Sequence, residues 1–260
     1  MATKSPAGVR WARTIVSILP LMNACDSHRT SHAIADEAAA CVPSDTLVLA
    51  GLRLERIRGT PLYPALPAPW RVLLEPLRDA TDLLVAYNGS DLLVIARGRF
   101  QSPPPGAVLV GSTLALVGSP AAIRAATLQH SSGRTGAPGL IAQAEPAAGK
   151  PIWLVVEGRA PLPLTGNLAN LNRLLKLVDY GTLTADFDSR VDVRANGFCR
   201  NADDGRQLEE ALRALLSLAA AGTRDADLAA LLESAQVTRD NLTVQLAISA
   251  SPPALERLLR

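Results

Sequence analysis

The stretch from Tyr180 to Gly222 constrains the fold most, because two strand patterns run directly into a long helical pattern. In both strands apolar residues alternate with polar ones, and a short polar turn at positions 188 and 189 separates the strands. The apolar positions are Leu183, Ala185, Phe187, Val191, Val193 and Ala195. A period of two is typical of a strand with one buried face. The stretch therefore predicts an antiparallel hairpin with one apolar face and one charged face.

The charged face of this hairpin carries three carboxylates, Asp186, Asp188 and Asp192. Carboxylates in such a group are ligands for hard cations. However, Arg190 and Arg194 lie among them and would repel a metal ion. We therefore expect a solvated face with charge pairs between the strands, and no metal site.

A long amphipathic helix is predicted after the hairpin. Asn201 is a candidate N-cap, and Gly222 suits the position that follows the last turn. The apolar residues at helical spacing are Leu208, Ala211, Leu212, Leu215 and Ala219. This periodicity predicts that the helix covers the apolar face of the hairpin.

The first 25 residues form a separable N-terminal segment. Basic residues at positions 4, 10 and 13 precede an apolar run of 11 residues from Thr14 to Ala24, which is too short to span a bilayer. Cys25 follows directly, and the pattern resembles a bacterial lipoprotein signal, although Met22 and Asn23 depart from the residues that this family prefers. The resemblance implies that Cys25 is lipidated and becomes the mature N-terminus. The alternative is an ordinary secretory signal that is cleaved nearby.

Export divides the start of the chain into a signal peptide at 1–24 and a polar, Ala-rich tether at 25–40. The resemblance implies a lipid-anchored protein in the periplasm or on the outer face of the cell membrane. Three of the 26 basic residues lie in the signal, so the rest of the chain has 23 basic against 24 acidic residues. The positive charge of the whole chain therefore belongs to the signal, and we expect no nucleic-acid partner.

Cys41 and Cys199 are the cysteines that remain after Cys25. Their spacing is not that of zinc ligands, and we expect no metal site. In an exported protein they are a candidate disulfide, which would tie the start of the domain to the end of the hairpin. The alternative is two separate buried thiols.

Two similar halves are predicted at 41–132 and 151–260, and the Gly-, Pro- and Ala-rich segment 133–150 is predicted to link them. The clearest parallel is between the segments TLALVGSPAAIRAA and TVQLAISASPPALERLL. Each half follows the order β-α-β-β-β-β-α, and the long helix is an addition in the second half. The predicted class is α+β, with two similar halves of mostly antiparallel sheet and helices packed on one face.

The hairpin from Asp82 to Gly98 differs from the later one, because both of its strands are apolar on both faces. This pattern predicts strands that are covered on both sides. Asn88 and Gly89 predict a tight two-residue turn between them. A further hairpin at 107–117 and a helix that begins at Ser119 complete the first half.

Few residues of the chain suit catalysis. His28 and His32 lie in the tether, which leaves His130 as the one histidine of the predicted domain, near a helix end. The sequence contains no P-loop, GxGxxG or HExxH motif, and we expect no cofactor.

Asn167, Asn170 and positions nearby are expected to cap a helix. This loop and the groove between the halves are the first places to look for a ligand.

The general style of the chain, together with its N-terminus, resembles uncharacterised bacterial exported proteins. We therefore predict a non-enzymatic binding or interaction module of the cell envelope. Its expected partners are the membrane, through the lipid anchor, and a partner protein or small ligand. One alternative is a hydrolase or transferase with an unidentified carboxylate-based site. Another is a cytoplasmic structural protein whose N-terminus only imitates a signal.

Overall fold

A single antiparallel sheet of ten strands organises the part of the chain that the computed structural model describes, which is residues 33–60, 62–65, 74–158, 160, 162, 171–187 and 190–251. The strands are β1 (Val48–Arg53), β2 (Ala80–Tyr87), β3 (Leu92–Gly98), β4 (Val108–Val110), β5 (Leu114–Gly118), β6 (Ile152–Glu157), β7 (Val178–Asp186), β8 (Val191–Cys199), β9 (Gln236–Asp240) and β10 (Thr243–Ala250). Their order across the sheet is β4-β5-β3-β2-β1-β6-β7-β8-β10-β9.

The strand order divides the sheet into two similar halves that meet at β1 and β6. From β1 outward the order is β1-β2-β3-β5-β4, and from β6 outward it is β6-β7-β8-β10-β9. Every neighbouring pair is antiparallel, including the central pair of β1 and β6. The predicted α+β class with two similar antiparallel halves is therefore confirmed, and the halves share one continuous sheet.

Most of the described helices contribute to three clusters of buried side chains on the sheet. The helices are α1 (Asp36–Ala39), α2 (Leu54–Arg58), α3 (Leu62–Ala65), a 3-10 turn (Glu75–Leu77), α4 (Pro120–Ser131), α5 (Pro138–Ala144), α6 (Leu171–Leu175), α7 (Ala202–Gly222) and α8 (Ala226–Glu233). Within the described residues, no helix is both long enough and apolar enough to cross a bilayer.

The two faces of the sheet are covered differently. We call the side of Leu49, Trp153 and Val155 the upper face, and the side of Leu154 and Leu183 the lower face. Helices α1, α4 and α5 pack on the upper face over the first half and the central strands. On the lower face, α2 and the 3-10 turn cover the first half, whereas α6 and α7 pack on the second half. Packing of helices on one face, which the sequence predicted for both halves, therefore describes α6 and α7 on the second half, whereas helices lie on both faces of the first half.

The hairpin of β2 and β3 is covered on both sides, as its sequence predicts. Leu84 and Ile95 belong to the buried cluster on the upper face, which we call the upper cluster. Leu83 and Ala96 belong to the buried cluster on the lower face of the first half. The connection differs from the predicted two-residue turn. Positions 88–91 form a four-residue loop, because the Asn88 side chain accepts hydrogen bonds from the backbone N–H groups of positions 90 and 91.

Helix α7 begins and packs as its sequence predicts. The Asn201 side chain caps it by accepting hydrogen bonds from the N–H groups of positions 203 and 204. Leu208 lies over Gly197 of β8, where a Cβ atom would be 2.6 Å from the leucine Cδ2. The guanidinium of Arg213 donates to the carbonyl of Val237 at 3.1 Å, which ties the helix to the edge strand β9. The helix therefore covers the lower face of the hairpin of β7 and β8.

The segment 133–150, which connects the two halves, contains α5 and is packed rather than free. Leu140 and Ala144 of this helix are buried in the upper cluster, next to Val155 of β6. Ala147 and Ala148 after the helix are also buried. The connection therefore lies over the junction of the two halves.

The junction itself depends on one glycine. Gly51 of β1 is the register partner of Trp153 of β6. A Cβ atom at Gly51 would lie 2.2 Å from the indole ring, so the absence of a side chain leaves the space that the ring occupies. Trp153 is only 4% exposed there. Close packing of this kind tolerates added atoms poorly.

We expect Gly51→Ala to destabilise the protein by about 1–3 kcal/mol, because the new methyl group overlaps the Trp153 ring. The free energy of unfolding is measured by denaturant titration. The matched control is Gly149→Ala, because no atom lies within 4 Å of a Cβ at that position. Equal stability of the two variants would contradict this account of the junction.

Candidate functional site

Two rows of apolar side chains cross the lower face from β1 to β10, and we call these ten residues the apolar floor. The first row is Ala50, Leu154, Leu183, Ala195 and Leu246. The second row is Leu52, Ile152, Ala185, Val193 and Ile248. Each residue is the register partner of the next, so both rows run straight across five adjacent strands. The floor contains no polar or charged side chain.

The floor is less well covered than the opposite side of the same central strands. Leu49 and Val155 on the upper face are fully buried, at 0% exposure each. Nine of the ten floor residues are only half-buried, the exception being Ala185. Apart from Leu52 and Leu246, none of them packs in or against the three buried clusters of the described residues. The floor is thus apolar surface that the described helices leave incompletely covered.

The backbone of the floor offers no hydrogen bonds to a ligand. All five of its strands are interior strands, each paired on both sides. Their N–H and C=O groups are therefore used within the sheet. What remains available is contact with apolar side chains, which favours uncharged apolar groups.

Helices border the floor on two sides. On the side of β1, Leu54 of α2 is fully buried against the first half. On the side of β10, Leu208 near the start of α7 is buried, whereas Leu212, Leu215 and Leu216 further along are half-buried. No residue of α8 is buried. The apolar surface therefore continues from the floor onto the second half of α7.

The two described carboxylates of the β7–β8 hairpin, Asp186 and Asp192, lie on the upper face, and both have partners. Asp186 accepts a hydrogen bond from the Lys150 ammonium at 2.9 Å and lies 3.6 Å from the Arg56 guanidinium. The Lys150 hydrogen bond holds the pKa of Asp186 below its ordinary value, although partial burial opposes this. Asp192 accepts a hydrogen bond from the Ser249 hydroxyl. Position 188 lies outside the described residues. Asp186 and Asp192 thus have protein partners.

A small cavity of about 180 Å³, with apolar and polar lining residues, lies at one end of the first half, between the loop before β1, the β2–β3 loop and α4. Asn88 donates a hydrogen bond to Asp45 at 2.8 Å, and Ser119 donates one to Asp91 at 2.5 Å. Ten residues line the cavity, and neither histidine nor cysteine is among them. Over the described residues, no group of three or more histidine, cysteine, aspartate or glutamate side chains could hold a metal ion.

The two thiols are free and lie in different clusters. Cys41 belongs to the buried cluster on the upper face and Cys199 to the one on the lower face of the second half, so the candidate disulfide is not formed in this structure, which has the alternative of two separate buried thiols. Burial, with a smaller contribution from Glu37, raises the pKa of Cys41 to about 11. His130 Nδ1 lies 3.6 Å from the Cys41 sulfur. A thiol with this pKa is protonated at neutral pH and is a poor nucleophile.

The sequence pointed to the asparagine-rich loop and to the groove between the halves as the first places to look for a ligand. Asn167 and Asn170 lie outside the described residues, as do Cys25, His28 and His32. Asn172 is in α6, and its side-chain amide donates to the Leu162 carbonyl at 3.0 Å. Its Oδ1 atom is buried with no hydrogen-bond partner. The floor was missed, although the period-two patterns of β7, β8 and β10 did indicate its apolar positions.

We expect Asp186→Asn to reduce stability by less than about 1 kcal/mol at neutral pH, because Lys150 is half exposed and ion pairs of this kind are weak. The lowered folded pKa means that the carboxylate stabilises the protein above its unfolded pKa, near 3.9, and that this stability is lost as the pH falls through the folded value. The difference between variant and parent should therefore shrink as the pH falls through this range. The unfolding free energy is measured at a series of pH values, with Asp240→Asn as an exposed control. A difference that stays constant with pH would contradict the ion pair.

No protein-family model matches this sequence, and no curated protein matches it either. Among solved structures, crystal form I of TP0453 is similar over 85% of this chain and 95% of that one, with a TM-score of 0.45 and 9% identity. Crystal form III of the same protein covers 85% of this chain and 96% of that one, with a TM-score of 0.47 and 9% identity. Likeness at this level supports no inference about function.

Proposed function

We propose that the chain is an exported bacterial envelope protein, anchored to the membrane by lipid on Cys25, which acts as a non-enzymatic binding module. The binding surface in this proposal is the apolar floor. The fold then serves to hold a broad apolar surface at the membrane, and no step of bond-making or bond-breaking is required of it.

The observation that carries the binding part of the proposal is the incomplete cover of the floor. Apolar side chains in the middle of a sheet are ordinarily buried, since each such side chain contributes about 1.5–3 kcal/mol when it is removed from water. Here two rows across five interior strands are left half-buried. Surface of this kind is typical of sites that bind apolar partners or ligands.

The anchoring part of the proposal rests on the N-terminal pattern. The basic segment, the apolar run of 11 residues and the cysteine directly after it follow the order of a lipoprotein signal. Ala33, where the described chain begins, is eight positions after Cys25. The proposed anchor is therefore close in sequence to the described domain.

We expect the parent protein to fractionate with membranes and to carry a diacylglyceryl group on Cys25, because the resemblance implies this modification. Cys25→Ala should lose both the lipid and the membrane association. The measurements are fractionation of cells and mass spectrometry of the N-terminal peptide.

The matched control is Cys41→Ala, which removes a thiol that is buried in the upper cluster and should leave the protein in the membrane fraction. A cytosolic protein with an intact Met1 would contradict export. A cleaved N-terminus without lipid would indicate the ordinary secretory signal and would contradict the anchor.

A further inference from the structure

The apolar floor restricts the chemistry of what can bind it. It has no charged or polar side chain, and the backbone groups of its five interior strands are used within the sheet. A sugar, a nucleotide or an extended peptide would lose hydrogen bonds to water there and gain none in return. The floor therefore suits only a ligand group that is uncharged and fully apolar.

The shape of the floor restricts the size of the ligand. None of its ten residues is fully exposed, and nine are half-buried, so the surface is recessed between the first-half helices and α7. A flat bilayer surface cannot reach a recessed floor. A partner helix is about 10 Å wide with its side chains, and it would need a floor that is open along its whole width. An apolar chain that is narrower than a helix can reach a surface that is only partly exposed.

The length of the floor fits one particular chain. Neighbouring strands are about 4.8 Å apart, so a row across five strands is roughly 19 Å long. The hydrocarbon core of a bilayer is about 30 Å thick, and the acyl chains of one leaflet therefore extend over roughly 15 Å. Acyl chains are bent by thermal motion in a bilayer, so a chain that is extended along a row is longer than this and can contact each of the five strands.

We propose that the apolar floor binds one acyl chain of a membrane phospholipid, lying across the strands from β1 to β10. The phospholipid is the source because the proposed function, on which this inference rests, places the domain at a membrane. The half-buried leucines in the second half of α7 would then contact the part of the chain that extends beyond β8. The headgroup would remain outside the floor, since the floor has no polar group to bind it.

The test uses the full-length chain, expressed in bacteria that are fed a palmitate analogue carrying a diazirine and an alkyne. The cells incorporate the analogue into phospholipids, and ultraviolet light then cross-links it to adjacent protein. After isolation through the alkyne, mass spectrometry locates the modified peptides. We expect adducts with the mass of a phospholipid on the peptides of β6 and β7, which contain Leu154 and Leu183, and no adducts on α4.

Two variants of the floor should reduce these adducts by about ten-fold or more. Leu154→Asp places a charge in the first row, and Ala195→Trp fills space on β8 in the same row without adding charge. The matched control is Leu128→Asp on α4, where the leucine is 71% exposed and the adducts should be unchanged. Thermal melting shows whether each variant is folded, and the tryptophan variant provides the test if the aspartate variant does not fold.

The same peptide maps separate this inference from the proposed function. An unmodified floor in a protein whose Cys25 is acylated would overturn the inference and leave the anchor in place. Floor adducts in a protein without lipid on Cys25 would support the inference and contradict the anchor. Adducts with the mass of the free fatty acid alone would overturn the assignment to a phospholipid.

Discussion

The antiparallel pairing of β1 with β6 joins two five-stranded halves into one sheet, and most other features of the protein depend on it. The register runs from Val48 opposite Val156 to Leu52 opposite Ile152. Without this pairing, both strands would be sheet edges with unpaired backbone groups in the middle of the domain. Gly51 contributes the space for Trp153 at the same place, so the pairing and the packing of the upper face are determined together.

The pairing also creates the apolar floor, because each row of the floor crosses from the first half to the second. The two halves share a strand order, but the first half buries side chains on both faces, whereas the buried cluster of the second half lies on the lower face. In the first half the upper face is apolar and lies beneath α1 and α4, whereas in the second half it carries polar side chains such as Asn196 and Gln245, which hydrogen-bond to each other at 3.0 Å. The apolar side of the second half is the lower one, where α7 covers the outer strands and leaves the inner ones half-buried.

Local patterns in the sequence predicted those features that depend on local physics. The period of two identified the second hairpin, and the Asn201 cap identified the start of α7. The turn at Asn88 and Gly89 was predicted at the correct place but with the wrong length, because the asparagine side chain bonds two backbone N–H groups within a four-residue loop.

What the sequence could not predict depends on which strands become neighbours. Pairings between distant segments place Leu154 beside Ala50 and Leu183. Such pairings also place Cys41 and Cys199 on opposite faces of the sheet. The apolar positions of the floor were visible in the sequence, but their alignment into rows was not.

The central claim is that an acyl chain lies along the lower face of the joined sheet. Methyl NMR spectra of the full-length protein in the presence of a phospholipid spin-labelled near the end of one acyl chain test it most directly. We expect stronger broadening of the methyl signals of Leu154 and Leu183 than of those of Leu49 and Val155 on the opposite face of β1 and β6, because the broadening falls steeply with distance from the label. Equal broadening on both faces, or none on the lower face, would contradict the account.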